Sequence, residues 1–182
     1  LTLSQYLLER LMYQLYDERR GVRKVMDAII GGSPDTRLPE LANTFDGIQK
    51  DLRLDIRVLF GEVLEKLVPP DPSSKWDIKL SFPELSQTPE RMKALTGILE
   101  NIGQRLGQIE TILNDFSQRT VNDKLKKSLT IRADLTSRLV FTIGKIIDDG
   151  DHFVRFIERS NSTVQIHAAP LSIAQEMKSL VY

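Results

Sequence analysis

The stretch TPERMKALTGILENIGQRLGQIETILNDF, residues 88–116, decides the fold of this chain. Its apolar residues alternate at spacings of three and four, which is the seam of a coiled-coil helix. They are Met92, Leu95, Leu99, Ile102, Leu106, Ile109, Leu113 and Phe116. Thr88 suits the N-cap of this helix, and Pro89 suits its first turn. The stretch therefore predicts a long amphipathic helix whose seam is buried either within the chain or against a second copy.

Three further amphipathic helices are predicted around that stretch. They run from about Ser4 to Ile30, from about Pro39 to Leu67 and from about Asn122 to Asp148. Gly21 kinks or breaks the first helix, and the sequence GGSP at residues 31–34 ends it. Trp76, Ile78 and Leu80 alternate with polar residues, which predicts a short extended segment laid across the bundle. Because these helices can cover the seam of residues 88–116, an intramolecular bundle is favoured over a dimerising coiled coil.

The pattern changes from helix to strand near the C-terminal end. Phe156 and Ile157 precede a turn at residues 160–162, and Val164 and Ile166 follow it. Pro170 ends the second strand, and Ser172 opens a helix. We therefore predict a mainly α fold, an elongated antiparallel four-helix bundle with a short C-terminal β-hairpin and a terminal helix. Short connections also place the two ends of the chain close together.

Composition excludes several classes of protein. The 182 residues suffice for one domain with its own core, and 41% apolar residues is ordinary for a globular chain. The chain contains no cysteine, so it holds no disulfide, zinc–thiolate or iron–sulfur site. No apolar run approaches the roughly 20 residues of a membrane span, and no signal peptide is visible. The first residue is Leu instead of Met, so we expect a piece of a longer protein.

The residues do not indicate a catalytic or metal site. The glycines of residues 31–33 lack the lysine that would reach a phosphate in a P-loop. His152 and His167 lack the spacing of metal ligands, and a structural role is expected for His167. The sequence DDGD at residues 148–151 suits a turn and lacks the alternation of a calcium loop. We expect neither a cofactor nor a metal in this chain, and no ATPase activity of its own.

Two basic clusters are the candidate DNA-binding residues. They are Arg19, Arg20, Arg23 and Lys24 near Gly21, and Lys124, Lys126 and Lys127 at the start of the fourth helix, with Arg132 and Arg138 beyond. Cations at a helix start oppose the macrodipole, which makes a functional reason such as phosphate contact more attractive. Exposed runs of charge are more often a solvated face, so both interpretations stay open.

Two features argue against tight autonomous binding of nucleic acid. The formal net charge of the chain is zero, whereas non-specific binders are usually basic. Tyr6, Tyr13 and Tyr16 lie on the first helix at spacings that also fit packing, so they do not indicate a stacking platform. We therefore expect the isolated chain to bind single strands weakly.

Both ends of the chain resemble one protein family. Residues 156–158, Phe-Ile-Glu, lie in the first strand, and residues 167–171, His-Ala-Ala-Pro-Leu, end the second. This strand–turn–strand–helix segment resembles the join between the inserted arch domain and the motor in DinG/XPD-type superfamily 2 DNA helicases, although the family often has Trp where Phe156 stands. Residues 3–20, LSQYLLERLMYQLYDERR, are similar to the helix that follows the DEAH box of that family.

The resemblance implies a division of the chain and a function. Residues 1–151 would be the helical arch-type insertion domain, and residues 152–182 would be the hairpin and helix start that rejoin the motor domain. The parent would be a cytoplasmic ATP-dependent 5′-to-3′ DNA helicase that uses ATP and Mg. Whether the parent also carries an iron–sulfur cluster stays open.

Within that parent, this chain would guide or gate single-stranded DNA without catalysis. Its implied partners are the single strand and the motor domains of the same chain. It would be a monomer with no membrane contact. The alternative left open is a stand-alone helical coiled-coil module for protein interaction.

Overall fold

The computed structural model describes residues 1–19, 21–70, 77–148, 150, 152–160 and 163–171. Within them the chain is mainly helical, with one small antiparallel sheet of four strands. The helices are α1 (Gln5–Tyr16), α2 (Val22–Gly31), α3 (Arg37–Val58), α4 (Leu64–Leu67), α5 (Phe82–Leu85), α6 (Pro89–Arg119) and α7 (Asp123–Ile147). The strands are β1 (Thr2–Ser4), β2 (Ile78–Ser81), β3 (Phe153–Ser160) and β4 (Thr163–Pro170).

Helix α6 confirms the prediction made from residues 88–116. It begins at Pro89, and the Thr88 carbonyl accepts hydrogen bonds from the amides of Arg91 and Met92. Every seam residue from Leu95 to Phe116 is fully buried, whereas Met92 is half-buried. The seam is therefore covered within a single chain, which is the first of the two arrangements expected.

The first predicted helix is two helices, α1 and α2, separated at Gly21. The Gly21 amide donates to the Asp17 carbonyl at 2.8 Å, which folds the backbone tightly between them. A β-carbon on Gly21 would lie 2.4 Å from the Asp17 carbonyl oxygen and 2.8 Å from that of Leu15. Only glycine fits this close approach of backbone to backbone, so Gly21 breaks the helix.

The second predicted helix is close to its expected bounds. Helix α3 begins at Arg37, two residues before Pro39, and continues into α4, which ends at Leu67 as predicted. A π-helical turn over Leu59–Val63 joins the two and was not predicted. The fourth predicted helix is α7, which begins at Asp123 and ends at Ile147, within a residue of its expected bounds.

The C-terminal strands belong to a larger sheet than the predicted hairpin. Strand β3 pairs antiparallel with β4, and the order across the sheet is β1-β4-β3-β2. Strand β1 replaces the expected start of the first helix, because Thr2 to Ser4 pair with His167 to Gln165. The segment with Ile78 and Leu80 is extended as predicted, but as β2 it pairs with β3. Trp76, the turn residues Asn161 and Ser162, and the helix expected from Ser172 lie outside the described residues.

A row of side chains crosses this sheet, with one residue on each strand. The Thr2 hydroxyl lies 3.1 Å from Nδ1 of His167, and Nε2 of His167 lies 3.2 Å from the Glu158 carboxylate without the alignment of a hydrogen bond. Lys79 pairs with Glu158 at 3.1 Å. Burial lowers the pKa of His167 below its usual value, against the opposing charge of Glu158. Phe156 stacks on the imidazole at 4.8 Å between ring centroids, so His167 has structural contacts on both sides.

The chain divides into two compact units. Unit 1 comprises Leu1–Gln5, Ile56–Asn101 and Phe141–Tyr182, and unit 2 comprises Tyr6–Asp55 and Ile102–Val140. Unit 1 contains the four strands, and unit 2 is helical wherever it has regular structure. The predicted division at residue 151 concerns which residues would rejoin a motor domain, and it stays a prediction.

Each unit has its own buried residues. In unit 1, Leu3, Ile157 and Ile166 are fully buried in the sheet. The buried Arg159 of β3 donates to the Val68 carbonyl at the end of α4 and pairs with Glu65 at 2.7 Å. In unit 2, the fully buried residues come from all five of its helices. They include Leu15, Met26, Phe45, Leu52, Leu106, Phe116, Leu129 and Thr136.

Candidate nucleic-acid interface

The second basic cluster lies on the first turns of α7, in unit 2. Asn122 caps this helix, because its side-chain oxygen accepts hydrogen bonds from the amides of Lys124 (3.1 Å) and Leu125 (3.2 Å). The cap satisfies amides that have no partner inside the helix. It also fixes the first turn, from which Lys124, Lys126 and Lys127 project as exposed side chains.

The three lysines do not share one face of α7. Lys124 and Lys127 are three residues apart, so they lie on the same side of the helix. Lys126 is rotated about 100° from Lys127 in an α-helix of 3.6 residues per turn. Within the described part of the chain, no carboxylate lies in ion-pair range of these three ammonium groups. Lys124 and Lys127 therefore form the cationic pair that one anionic strand can contact together.

In the first basic cluster, near Gly21, one of the cations forms ion pairs with carboxylates of the protein. Arg23 of α2 pairs with Asp27 at 2.9 Å and with Asp46 of α3, which ties these helices together. Partial burial raises the pKa of Asp46, and the guanidinium of Arg23 opposes that rise. Arg19 and Lys24 are exposed, and Arg20 lies outside the described residues.

Of the two arginines farther along α7, Arg132 has a structural role. Its guanidinium donates to the Gln14 carbonyl of α1 at 3.4 Å and to the Ser128 carbonyl at 2.9 Å. The bond to Gln14 links α7 to α1 within unit 2, whereas the bond to Ser128 stays within α7. Arg138, two turns farther along α7, has an exposed side chain.

Other cations of unit 2 have carboxylate partners that the sequence did not identify. Asp35 accepts hydrogen bonds from Arg37 and from Arg119, and the bonds from Arg37 lower the pKa of Asp35 to about 2. Arg105 of α6 pairs with the buried Asp55 at 2.6 Å and also with Asp51 at 3.1 Å. Since these arginines are paired, they are poorer candidates for phosphate contact than Lys124 and Lys127.

The tyrosines of the first helix divide into two groups. Tyr16 packs as expected, with its ring 4.5 Å from that of Phe45 and its hydroxyl donating to the Phe45 carbonyl at 2.9 Å. Burial raises the pKa of Tyr16. By contrast, Tyr6 and Tyr13 are 68% and 60% exposed, so packing, which their spacing also fits, does not account for these two.

In the part of the chain that the structure describes, a surface depression and the arrangement of the metal-binding side chains bear on whether there is a site outside the basic clusters. A shallow depression of about 460 Å³ lies beside Met92, Lys93 and Ile147 in unit 1, and no residue of the two basic clusters lines it. Among the described residues, no group of three or more His, Asp or Glu side chains is arranged to hold a metal ion. None of the described helices combines the length and the apolarity needed to cross a membrane.

Comparison with known proteins identifies no relative. No protein-family model matches the chain, and neither a curated protein nor a solved structure matches it significantly. Any assignment of function therefore depends on the residues described above and on the resemblance at the two ends of the sequence.

Proposed function

We propose that this chain is the non-catalytic arch domain of a cytoplasmic, ATP-dependent 5′-to-3′ DNA helicase of the DinG/XPD type, and that it guides or gates single-stranded DNA. In this proposal its helices form an elongated antiparallel four-helix bundle, followed by the C-terminal hairpin and a terminal helix. ATP and Mg act in the motor domains of the parent, which are its partners together with the single strand.

The pairing of β1 with β4 is the observation that carries the proposal. The amino group of Leu1 donates to the Ala168 carbonyl at 2.9 Å, and the Ala168 amide donates back to Leu1 at 2.9 Å. A domain inserted into another domain needs its entering and leaving strands side by side. Both strands overlap the parts of the sequence that resemble the helicase family. Strand β1 contains the start of residues 3–20 and leads into α1, and β4 contains the first four residues of the His-Ala-Ala-Pro-Leu at 167–171.

The buried seam of α6 favours this proposal over the coiled-coil module. Leu99, Leu106 and Leu113 are fully buried in the single chain, so they are not available to a second copy. A dimerising coiled coil needs an apolar seam on the surface of the monomer. A stable dimer in sedimentation equilibrium would favour the module.

The test of the proposal is the salt dependence of single-strand binding by the full helicase. Removing one cation that neutralises a phosphate of a single strand reduces the slope of log K against log salt by about 0.7. The triple variant Lys124→Ala, Lys126→Ala, Lys127→Ala should therefore flatten the slope for oligothymidylate by at least about 1.4, because Lys124 and Lys127 share one face. The effect should be the same for any base sequence.

A matched control carries the same change in charge at other sites. Lys50, Lys66 and Lys93 are exposed lysines on α3, α4 and α6. Their triple alanine variant should leave the slope unchanged, whereas unwinding and single-strand affinity should fall only in the α7 variant. Equal slopes for wild type and both variants would assign Lys124, Lys126 and Lys127 to a solvated face and contradict the proposal.

A further inference from the structure

Helix α1 carries an exposed stripe that its packing does not use. Leu8, Leu11 and Leu15 are buried on one side of the helix. Tyr6 and Tyr13 lie on the opposite side with Arg10 between them, at spacings of four and three residues, and all three are exposed. Residues at these spacings form one continuous face of a helix.

Helix α7 carries a second exposed stripe beside it. The members of this stripe are Lys124, Lys127, Ile131, Asp134 and Arg138, at alternating spacings of three and four. They lie opposite the buried Leu129, Ala133 and Thr136. The stripe therefore combines an exposed aliphatic side chain with three cations and one carboxylate.

The two stripes belong to one surface of unit 2. The hydrogen bond from Arg132 to the Gln14 carbonyl places α1 and α7 side by side. Both helices bury their other faces in the core of the same unit. Their exposed faces therefore point outward on the same side, with the tyrosines and Arg10 on one helix and the lysines on its neighbour.

We propose that this surface binds single-stranded nucleic acid by stacking bases on Tyr6 and Tyr13, while Arg10, Lys124 and Lys127 contact its phosphates. The inference rests on the proposed function and names the residues that contact the strand in addition to the lysines. It gives the strand two kinds of contact on one surface, where the lysines alone give only phosphate contact.

The chemistry of the surface favours a single strand over other occupants. Exposed aromatic rings stack on the faces of unpaired bases, which a duplex keeps covered, and nearby cations follow the phosphate backbone. Tyr6 and Tyr13 are seven residues apart, about 10.5 Å along the helix at ~1.5 Å per residue. That separation corresponds to about three nucleotide steps at ~3.4 Å each, so one strand can reach both rings.

The experiment compares a strand that has bases with one that lacks them. Wild-type chain is titrated at low salt into fluorescein-labelled oligothymidylate of fifteen nucleotides and into an abasic strand of the same length, with fluorescence anisotropy as the readout. Stacking contributes about 1–3 kcal/mol per base, so Tyr6→Ala and Tyr13→Ala should each weaken oligothymidylate binding at least about 5-fold. Binding of the abasic strand should not change.

Two further variants separate stacking from other causes. Tyr6→Phe with Tyr13→Phe keeps both rings and should retain wild-type affinity, because the hydroxyl does not stack. Leu54→Ala removes an apolar side chain of α3 that is 56% exposed, and it should have no effect. Circular dichroism at 222 nm checks that each variant retains its helical content.

The outcomes distinguish this inference from the proposed function. Equal affinity of wild type for the two strands, or unchanged oligothymidylate binding by both Tyr6→Ala and Tyr13→Ala, overturns stacking on this surface. Failure of wild type to bind either strand overturns it as well. In these cases the slope measured with the α7 lysine variant of the full helicase still decides the proposed function separately. If a protein partner is captured through Tyr6 and Tyr13 while strand binding is unchanged, the surface is a protein interface instead.

Discussion

Substitution of Gly21 by alanine tests the explanation given for the break between α1 and α2. The backbone of Gly21 has φ −70° and ψ 168°, which alanine also adopts, so the dihedral angles alone do not require glycine. Space does, because the new β-carbon would lie 2.4 Å from the Asp17 carbonyl oxygen, 2.7 Å from the Asp17 nitrogen and 2.8 Å from the Leu15 carbonyl oxygen. All three contacts are with backbone, which cannot turn aside as a side chain can.

The expected change in the free energy of unfolding follows from two opposing effects. Forcing one carbon into a filled space costs about 1–3 kcal/mol. Loss of glycine's freedom in the unfolded chain offsets this by about 0.4–1 kcal/mol. We therefore expect Gly21→Ala to destabilise the protein by roughly 1–2 kcal/mol, or more if the hydrogen bond between Gly21 and Asp17 also breaks.

Gly47→Ala is the matched control for this substitution. Gly47 is exposed inside α3, and apart from the adjoining backbone of its own helix no atom lies within 4 Å of the position of its β-carbon. Alanine there should stabilise the protein by about 0.5–1 kcal/mol, since glycine is a poor helix former. Urea unfolding followed by circular dichroism measures both variants. If Gly21→Ala is as stable as wild type while Gly47→Ala shows its gain, the steric explanation of the break is wrong.

Two further predictions concern the cores of the two units. Leu106→Asp buries an unpaired charge in the seam of α6 and should destabilise the protein by at least about 3 kcal/mol, whereas Leu54→Asp on the exposed side of α3 should change stability by less than about 0.5 kcal/mol. A Leu106→Asp variant that keeps the wild-type melting temperature would place that seam on the surface. His167 has a lowered pKa in the folded state, so its contribution to stability is present above about 6.5, its usual pKa when unfolded, and is lost as pH falls below that value. His167→Gln should therefore lose less stability than wild type between pH 7 and pH 5 in urea titrations, and an equal loss in both proteins contradicts this assignment.

The helices were predictable from the sequence because their determinants are local. One apolar stripe repeated from Leu95 to Phe116 fixes the periodicity of α6, which begins at Pro89. The side chain of Asn122 caps the start of α7. Gly21 was also visible as a discontinuity, but its spacing left open whether it kinks or breaks the helix. That choice depends on how close the Asp17 backbone comes, which no spacing of residues records.

The sheet was only half predictable because its pairing is not local. Strand β1 has three residues, too few for an alternating pattern, and its partner His167 is 165 positions from Thr2 in the sequence. From the sequence alone, the residues Thr2–Ser4 before a helix therefore look like its N-terminal cap and not like a strand. Strand β2 was recognised as extended, but its pairing with Glu158 and Arg159 across β3 depends on contacts that only the folded chain shows.

At the candidate site, the sequence also could not predict which side chains of α1 are buried and which are exposed. Leu7, Leu11 and Leu15 satisfy the helical spacing, yet the chain buries Leu8 and leaves Leu7 half-buried. Burying Leu8 instead of Leu7 corresponds to rotating the helix about its axis by one residue. Such a rotation decides whether a tyrosine on the same helix packs or is exposed. The sequence therefore named the tyrosines and could not separate Tyr16 from Tyr6 and Tyr13.

The formal net charge of zero does not predict how the surface of this chain attracts anions, because some cations have a carboxylate partner and others do not. Among the described residues, Arg23, Arg37, Arg105, Arg119 and Arg159 each lie in ion-pair range of a carboxylate, which neutralises them locally. The carboxylates that balance the formal charge are thus used in part to hold helices together. Lys124 and Lys127 remain without such a partner in the described structure. A strand that contacts phosphates responds to these local cations within a Debye length of about 10 Å at 0.1 M salt, and not to the sum over 182 residues.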